Sequence, residues 1–349
     1  MLPEWKVFLE QAGATIEQGA VMHFGRPDHE LAAALNSTVL SDLSHLGLLA
    51  ASGADAQTFL QNQFTNDVRR IDEQHSQLNA YCSPKGRVLA LFRLFKRQDS
   101  YYLCLPQPLL AGTLQRLRLF VLRAQVTLAD ASTALVPIGL AGPEAEALLI
   151  KIAGAAPPLV DDCRQLPFAG GTLTIMRIPG PQARFAIAGE AAAMMALWPL
   201  LQAHAAPVGA APWALLDIRS GIPSIHGATV DAFVPQMLNL QAIDAVSFKK
   251  GCYPGQEIVA RMQYLGTLKR RMYYARVDTA TCPEPGDDLY APADEQGIGQ
   301  VVDARPSPQG GFEMLAVIQI AHAKEGMVRL SSRQGPPLQF NELPYTLAT

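Results

Sequence analysis

The chain is short of the residues that build metal or disulfide frameworks. Five cysteines lie in 349 residues: Cys82, Cys104, Cys163, Cys252 and Cys282. They are odd in number and widely spaced, with no CxxC pair, which argues against both a disulfide scaffold and a zinc knuckle. The seven histidines contain no HxxxH or HExxH spacing, so no resident metal is expected. The glycine-rich phosphate loops, Walker and GxGxxG, are also missing. No stretch of eighteen apolar residues occurs, so a membrane-spanning helix is not expected. The opening MLPEWKVFLEQAG carries acidic residues early and lacks the apolar core of a signal peptide. The net charge of −3 excludes a globally basic nucleic-acid binder while allowing a local basic patch. Together these absences favour a cytoplasmic protein with reduced thiols.

What is present is core material. Hydrophobic residues make up 49% of the chain and charged residues 17%, which suits two or three folded domains. Residues 1–35 read as helical and peripheral. TVLSDLSHLGLLAASG reads as two short strands, and ADAQTFLQNQFTNDV as a helix. The stretch from Gln77 to Pro106 is a strand meander punctuated by Pro84-Lys85-Gly86 and Asp99-Ser100. A helix is predicted at about 108–122, and AQVTLAD as a further strand. From Thr133 the order βαββα, closing on EAAAMMALWPLLQAHAA, is the pattern of a ferredoxin-like half. Met194, Met195, Leu197 and Trp198 in that last helix read as core. Residues 208–262 are less regular. After Gly266, short strands with Gly and Pro punctuation suggest a small antiparallel barrel.

The irregular region holds the stretch with most chemistry, SFKKGCYPGQE, Ser247 to Glu257. Gly251 and Gly255 permit tight turns and unusual backbone angles, and Pro254 stiffens the second turn. Cys252 is therefore expected at the surface of a turn. Lys249 and Lys250 would favour its thiolate, because nearby positive charge stabilises the charged form. Local physics leaves two readings open: a reactive thiol, or a structural turn with a bystander cysteine. Upstream, Arg219 in DIRSGIPSIHG is either an anchor for a carboxylate or phosphate, or one half of a structural salt bridge. His226 reads as an ordinary loop histidine. Downstream, Arg261, Lys269, Arg270 and Arg271 form a basic cluster with Tyr264, Tyr273 and Tyr274 nearby. It suits an anionic partner such as RNA, or a polyanionic tail.

The segment NLQAIDAVSFKKGCYPGQEIVARMQYLGTLKRRMYY resembles the YgfZ family of folate-binding proteins, whose hallmark is K-G-C-[FY]-x-G-Q-E. Each fixed position is met, by Lys250, Gly251, Cys252, Tyr253, Gly255, Gln256 and Glu257. SGADAQTFLQNQFTNDV is similar to the family's N-terminal segment, and AYCSPKGRVLALFRLF to its strand-turn-strand. GIPSI, FVPQMLNLQ and LPYTL also match in place. The likeness covers nearly the whole chain.

The resemblance implies an α+β fold, a three-domain ring like the glycine cleavage T-protein around a folate-binding channel. On that basis residues 1–132 plus 208–264 would form a discontinuous folate-binding domain, 133–207 a ferredoxin-like domain, and 265–349 a C-terminal β-barrel. It implies tetrahydrofolate or another reduced folate as cofactor, with Lys249, Lys250, Arg219 and Arg261 as candidate contacts. It implies a role in assembling or maintaining iron–sulfur clusters in particular enzymes, which would be its partners, and through them in tRNA modification. Cys252 would be the reactive thiol and Lys250 its tuning partner, with Gly251, Tyr253, Gly255, Gln256 and Glu257 supporting the loop, Gln256 and Glu257 through hydrogen bonds and Glu257 paired with a lysine or arginine. Contact with tRNA would fall on Lys269, Arg270 and Arg271. The rivals are a folate-dependent aminomethyltransferase like the T-protein itself, and a noncatalytic tRNA or protein adaptor. Against the first, QPLLAGTLQRL offers no acid where the T-protein carries one, and IPGPQARFAIAGE replaces its TGYTGE-like loop.

Overall fold

In the computed structural model, which describes residues 1–347, the chain divides into two units, each assembled from three stretches. The first takes Met1–Phe59, Arg69–Gln77 and Phe92–Leu216; the second takes Leu60–Val68, Leu78–Leu91 and everything from Asp217 onward. The last two residues of the expected 265–349 barrel segment lie outside the described residues.

The chain starts with helix α1 (Pro3–Gln11), the hairpin β1 (Thr15–Glu17) and β2 (Ala20–His23), and helix α2 (Pro27–Asn36). Strands β3 (Val39–Asp42) and β4 (Leu46–Ser52) follow, then α3 (Ala56–Gln61), β5 (Gln77–Cys82), β6 (Val88–Arg97), β7 (Ser100–Pro106), α4 (Gln107–Arg118) and β8 (Thr127–Asp130). Next come β9 (Val136–Ala141), α5 (Ala145–Ala153), β10 (Cys163–Phe168), β11 (Gly171–Ile178), β12 (Arg184–Gly189), α6 (Ala191–Gln202) and β13 (Ala206–Val208). Helices α7 (Ala210–Arg219) and α8 (Gln256–Tyr264) bracket an irregular stretch. The chain ends with β14 (Arg270–Val277), β15 (Asp288–Tyr290), β16 (Gly299–Pro306), β17 (Phe312–Gln319), α9 (Ile320–Glu325), β18 (Arg329–Leu330) and β19 (Leu338–Asn341).

The main sheet of the first unit has the order β10-β11-β12-β9-β3-β13, antiparallel except for the β3–β13 pair. Every residue of β9 is buried because the sheet is covered on both faces. Alternation along the strand sends Val136, Ile138 and Leu140 into one core and Ala141 into another. Trp213 lies over Gly139, where any side chain would run into its ring. The βαββα pattern is present with one more strand than the sequence suggested, β10, hairpinned to β11. Its sequence, CRQLPF, is polar and holds a proline, which a sheet-edge strand tolerates. The N-terminal segment is helical but not peripheral. Trp5 and Leu9 are wholly buried, and Trp5 packs edge-on against Trp198 at 5.6 Å. Met194, Leu197 and Trp198 are core, as their spacing predicts. Strands β3 and β4, adjacent in sequence, enter different sheets: β4 lies between β7 and β8.

In the second unit, six antiparallel strands run in the order β18-β15-β16-β17-β14-β19 around a core including Val301, Met314 and Ile318. The sheet curls until its edges meet. Leu338 N donates to Val328 O at 2.8 Å, and Leu330 N donates to Pro336 O at 3.0 Å. This is the C-terminal barrel expected from the Gly- and Pro-punctuated strands.

Candidate functional site

The Cys252 loop is held from beneath by a buried lysine. Lys250 is 7% exposed, and its ammonium donates to the backbone carbonyls of Gln61 (2.6 Å), Phe64 and Asn66 (3.0 Å). Three N–H donors meet three acceptors, which offsets the cost of taking the charge out of water. The ammonium also lies 5.2 Å from the centre of the Tyr253 ring. These carbonyls explain why the helix predicted over ADAQTFLQNQFTNDV stops at Gln61. Thr65 and Asn66 turn their side chains to backbone partners instead: Thr65 Oγ1 donates to Ala245 O at 2.7 Å, and Asn66 Nδ2 to Asp244 O at 2.5 Å and Leu78 O at 3.1 Å. Side chains of this type compete with helical hydrogen bonds. Lys250 therefore ties the loop to the segment at residues 61–66.

The loop ends in two interlocked turns. Gly255 has φ 79° and precedes α8. Gly86, φ 69°, closes the turn Ser83-Pro84-Lys85-Gly86 through Gly86 N donating to Ser83 O at 2.8 Å. A Cβ on Gly255 would fall 2.6 Å from Gly86 Cα and would meet Ser83 O as well. Gly251 differs: it has no positive φ and faces open space, so only one of the two flanking glycines uses its conformational freedom. Gln256 and Glu257 occupy the first turn of α8 rather than extended loop. The bracing amide belongs to Gln236, whose Nε2 donates to Val259 O at 2.7 Å. Glu257 is exposed and makes no ion pair among the described residues. The expected pairing is not formed: Glu257 stands exposed in the first turn of α8.

Cys252 is exposed at the rim of an open depression of about 590 Å³, which Pro84, Tyr253, Gln256, Glu257 and Ile258 also line. The buried thiols contrast with it. Burial pushes Cys82 and Cys163 up to about 12, where almost no thiolate exists at neutral pH. Cys282 is also exposed, and there partial desolvation, with nearby carboxylates, raises the thiol. Tyr253 is buried, and desolvation, then the neighbouring Cys82, pushes its phenol upward.

The other candidates differ in exposure and partners. Arg219 is held by Glu313 in a bidentate pair, Nε to Oε2 at 2.8 Å and Nη2 to Oε1 at 2.7 Å, which is the salt-bridge alternative for that residue. Glu313 is 2% exposed and also accepts from Tyr274 and from Ser307 Oγ at 2.8 Å. Lys249 and Arg261 are exposed beside the Cys252 loop, and Lys269 is exposed just before β14. Arg270 and Arg271 are half-buried on β14. The Pro84-Lys85 turn, which frames the depression, carried no chemical role in the sequence. Nor did the carbonyls that receive Lys250, because a backbone acceptor has no signature in residue type. Among the described residues no cluster of three or more His, Cys, Asp or Glu is placed to hold a metal ion, and no helix is long and apolar enough to cross a membrane.

Comparison with known proteins places this geometry. Residues 18–215, more than half of the chain, match the model of the GCVT N-terminal domain. A protein of Colwellia psychrerythraea named "tRNA-modifying protein YgfZ" is 33% identical over 321 residues, covering 90% of this chain and 95% of its own. A protein of the same name from Enterobacter sp. is 30% identical over 328 residues, covering 92% and 97%. Among solved structures, the glycine cleavage system aminomethyltransferase T of Bartonella henselae superposes with a TM-score of 0.76 at 19% identity, over 98% of this chain and 97% of that one. The fold is thus that of the T-protein.

Proposed function

This chain belongs to the YgfZ family, and from that premise we propose that it is a folate-binding accessory protein which supports iron–sulfur enzymes, including enzymes of tRNA modification, through the thiol of Cys252. The observation that carries the reading is the presentation of that thiol. Cys252 is exposed, while the residue two before it is buried and bound to three carbonyls, and Gly255, three residues after it, is locked against Gly86. A soft, accessible ligand on a rigid support is what iron–sulfur and sulfur-transfer chemistry requires. On this reading Lys250 acts by positioning the loop. The relatives' name as tRNA-modifying proteins supports the tRNA connection.

The second unit also offers polar groups that fit a pterin. Gln63 Oε1, Asn79 Nδ2 and Gln236 Oε1 belong to buried side chains and have no hydrogen-bond partner among the described residues. An orphaned buried amide atom costs about 1–3 kcal/mol, and a pterin edge carries the amino, N–H and carbonyl groups that would satisfy both kinds. Gln63, Asn79 and Gln236 would hold the ring; a reduced folate there would supply one-carbon or redox chemistry.

The test is complementation of a strain lacking its own family member, read as the activity of iron–sulfur enzymes. Cys252→Ala should fold and melt like wild type, because an exposed thiol contributes little packing, yet should fail to restore activity. Full complementation by Cys252→Ala would reduce the loop to a structural turn. Turnover of a one-carbon donor by the purified protein would favour an aminomethyltransferase instead.

A further inference from the structure

We infer that the outer face of α8 is a docking surface for single-stranded RNA, with an unpaired base stacked on Tyr264. The inference rests on the tRNA-modification reading above and names the substrate form that the Cys252 site would meet.

Tyr264 is 68% exposed and Leu265 85% exposed at the end of α8. The Tyr264 ring is not loose, since Phe248 packs edge-on against it at 6.1 Å. This leaves a supported aromatic face open to solvent, with Leu265 exposed beside it. The surroundings are cationic. Residues 247–271 hold six lysines and arginines, five of them besides the buried Lys250, against one carboxylate, Glu257, in a chain whose net charge is −3. Lys85, Lys249, Arg261 and Lys269 are exposed, and none makes an ion pair among the described residues. Arg261 lies three positions before Tyr264, on the same side of the helix. Lys249 is joined to the Phe248 that supports the ring.

Unpaired cations interleaved with an exposed aromatic are what single strands recognise, since phosphates meet the charges and any base has a π-face to stack. A duplex hides its base faces and cannot use the tyrosine. The placement gives the contact a purpose. Tyr264 is eight residues beyond the start of α8, about 12 Å along the axis, and the Cys252 depression runs along the helix from Gln256 to Ala260. A strand stacked on Tyr264 reaches the thiol within a few nucleotides, at the Glu257 end of the helix.

The experiment uses the full chain and a fluorescein-labelled 12-nucleotide single-stranded RNA, with the same sequence as a duplex, followed by anisotropy across a salt series. The single strand should bind at least about tenfold more tightly than the duplex. Tyr264→Ala should weaken it by about tenfold, while Tyr264→Phe, which keeps the ring, should bind within about twofold of wild type. Lys249→Ala and Arg261→Ala should each reduce the salt slope by about 0.7. Equal affinity for single strand and duplex, or no effect of Tyr264→Ala, overturns the proposal. So does a dimer in sedimentation that Leu265→Glu dissociates, which would give the face to a second copy of the chain. Normal RNA binding by Tyr264→Ala with failed complementation by Cys252→Ala removes this proposal and leaves the functional reading standing. Weakened RNA binding by Tyr264→Ala with full complementation by Cys252→Ala does the reverse.

Discussion

Asp42 is an acid in a dry place, with hydrogen bonds and only the N-terminal ammonium at a distance to offset its burial. It is wholly buried and receives hydrogen bonds from Trp5 Nε1 at 2.7 Å, Ser44 Oγ at 2.8 Å and Ser44 N at 3.0 Å. Burial outweighs these bonds and pushes its carboxyl up to about 6 from an ordinary 3.8. The folded-state value is raised, so this group favours the fold most below pH 3.8, and its contribution is lost as pH rises through 6. A shift of that size corresponds to about 3 kcal/mol. Asp42→Asn keeps the acceptor for Trp5 without the titration. Denaturant unfolding at pH 4 and pH 7 should therefore show a smaller difference in stability for Asp42→Asn than for wild type. An unchanged difference would mean that other groups set the pH dependence. At the same scale, Lys250 and Arg219 show how a charge is spent: both were candidate ligand contacts, and both are engaged inside the protein.

At the scale of elements, the site depends on two turns that fit only as glycines. Gly255 at φ 79° faces Gly86 at φ 69°, and a Cβ on Gly255 has no free volume. Gly255→Ala must both adopt a left-handed conformation and separate the turns, at a combined cost of about 2–4 kcal/mol. Gly251→Ala meets nothing within 4 Å and should change stability by less than about 1 kcal/mol. The pair separates steric fit from mere membership of the motif: thermal melts should show a clear fall in Tm for Gly255→Ala and almost none for Gly251→Ala. Faster alkylation of Cys252 in Gly255→Ala would show that the turn fixes the thiol's setting; an unchanged melt for this variant would contradict the interlock.

Across the whole molecule, the chain passes between its two units after Phe59, Val68, Gln77, Leu91 and Leu216. No single cut releases either unit whole, so ligand effects belong on the intact protein. If a reduced folate occupies the buried amides Gln63, Asn79 and Gln236, it binds only the folded chain and stabilises it by mass action. Millimolar tetrahydrofolate should then raise Tm by at least about 2 °C, and Gln63→Leu together with Asn79→Leu should abolish the rise. No shift in the intact protein, with no heat in calorimetry, would remove folate from the proposal.

The sequence by itself determined many of the elements and the loop, though not β10, nor the helices α7 and α8 inside the stretch that reads as irregular. Strand alternation, the Gly- and Pro-punctuated barrel, the buried face of α6 and the surface position of Cys252 all follow from local patterns, because each depends on near neighbours along the chain. The whole-chain likeness to one family was readable for the same reason, since residue identities carry it. Only the tertiary structure decided where long-range partners lie. It buried Trp5 against Trp198, sent β3 and β4 to different sheets, cut α3 short at Gln61 and drew Lys250 onto the carbonyls of residues 61–66. It gave Arg219 to Glu313, ninety-four positions away, and left Lys249 and Arg261 outside. The reason is physical: a lysine in a sequence is a charge with a reach, and whether that charge meets a carbonyl, a carboxylate or water depends on backbone brought from elsewhere in the chain.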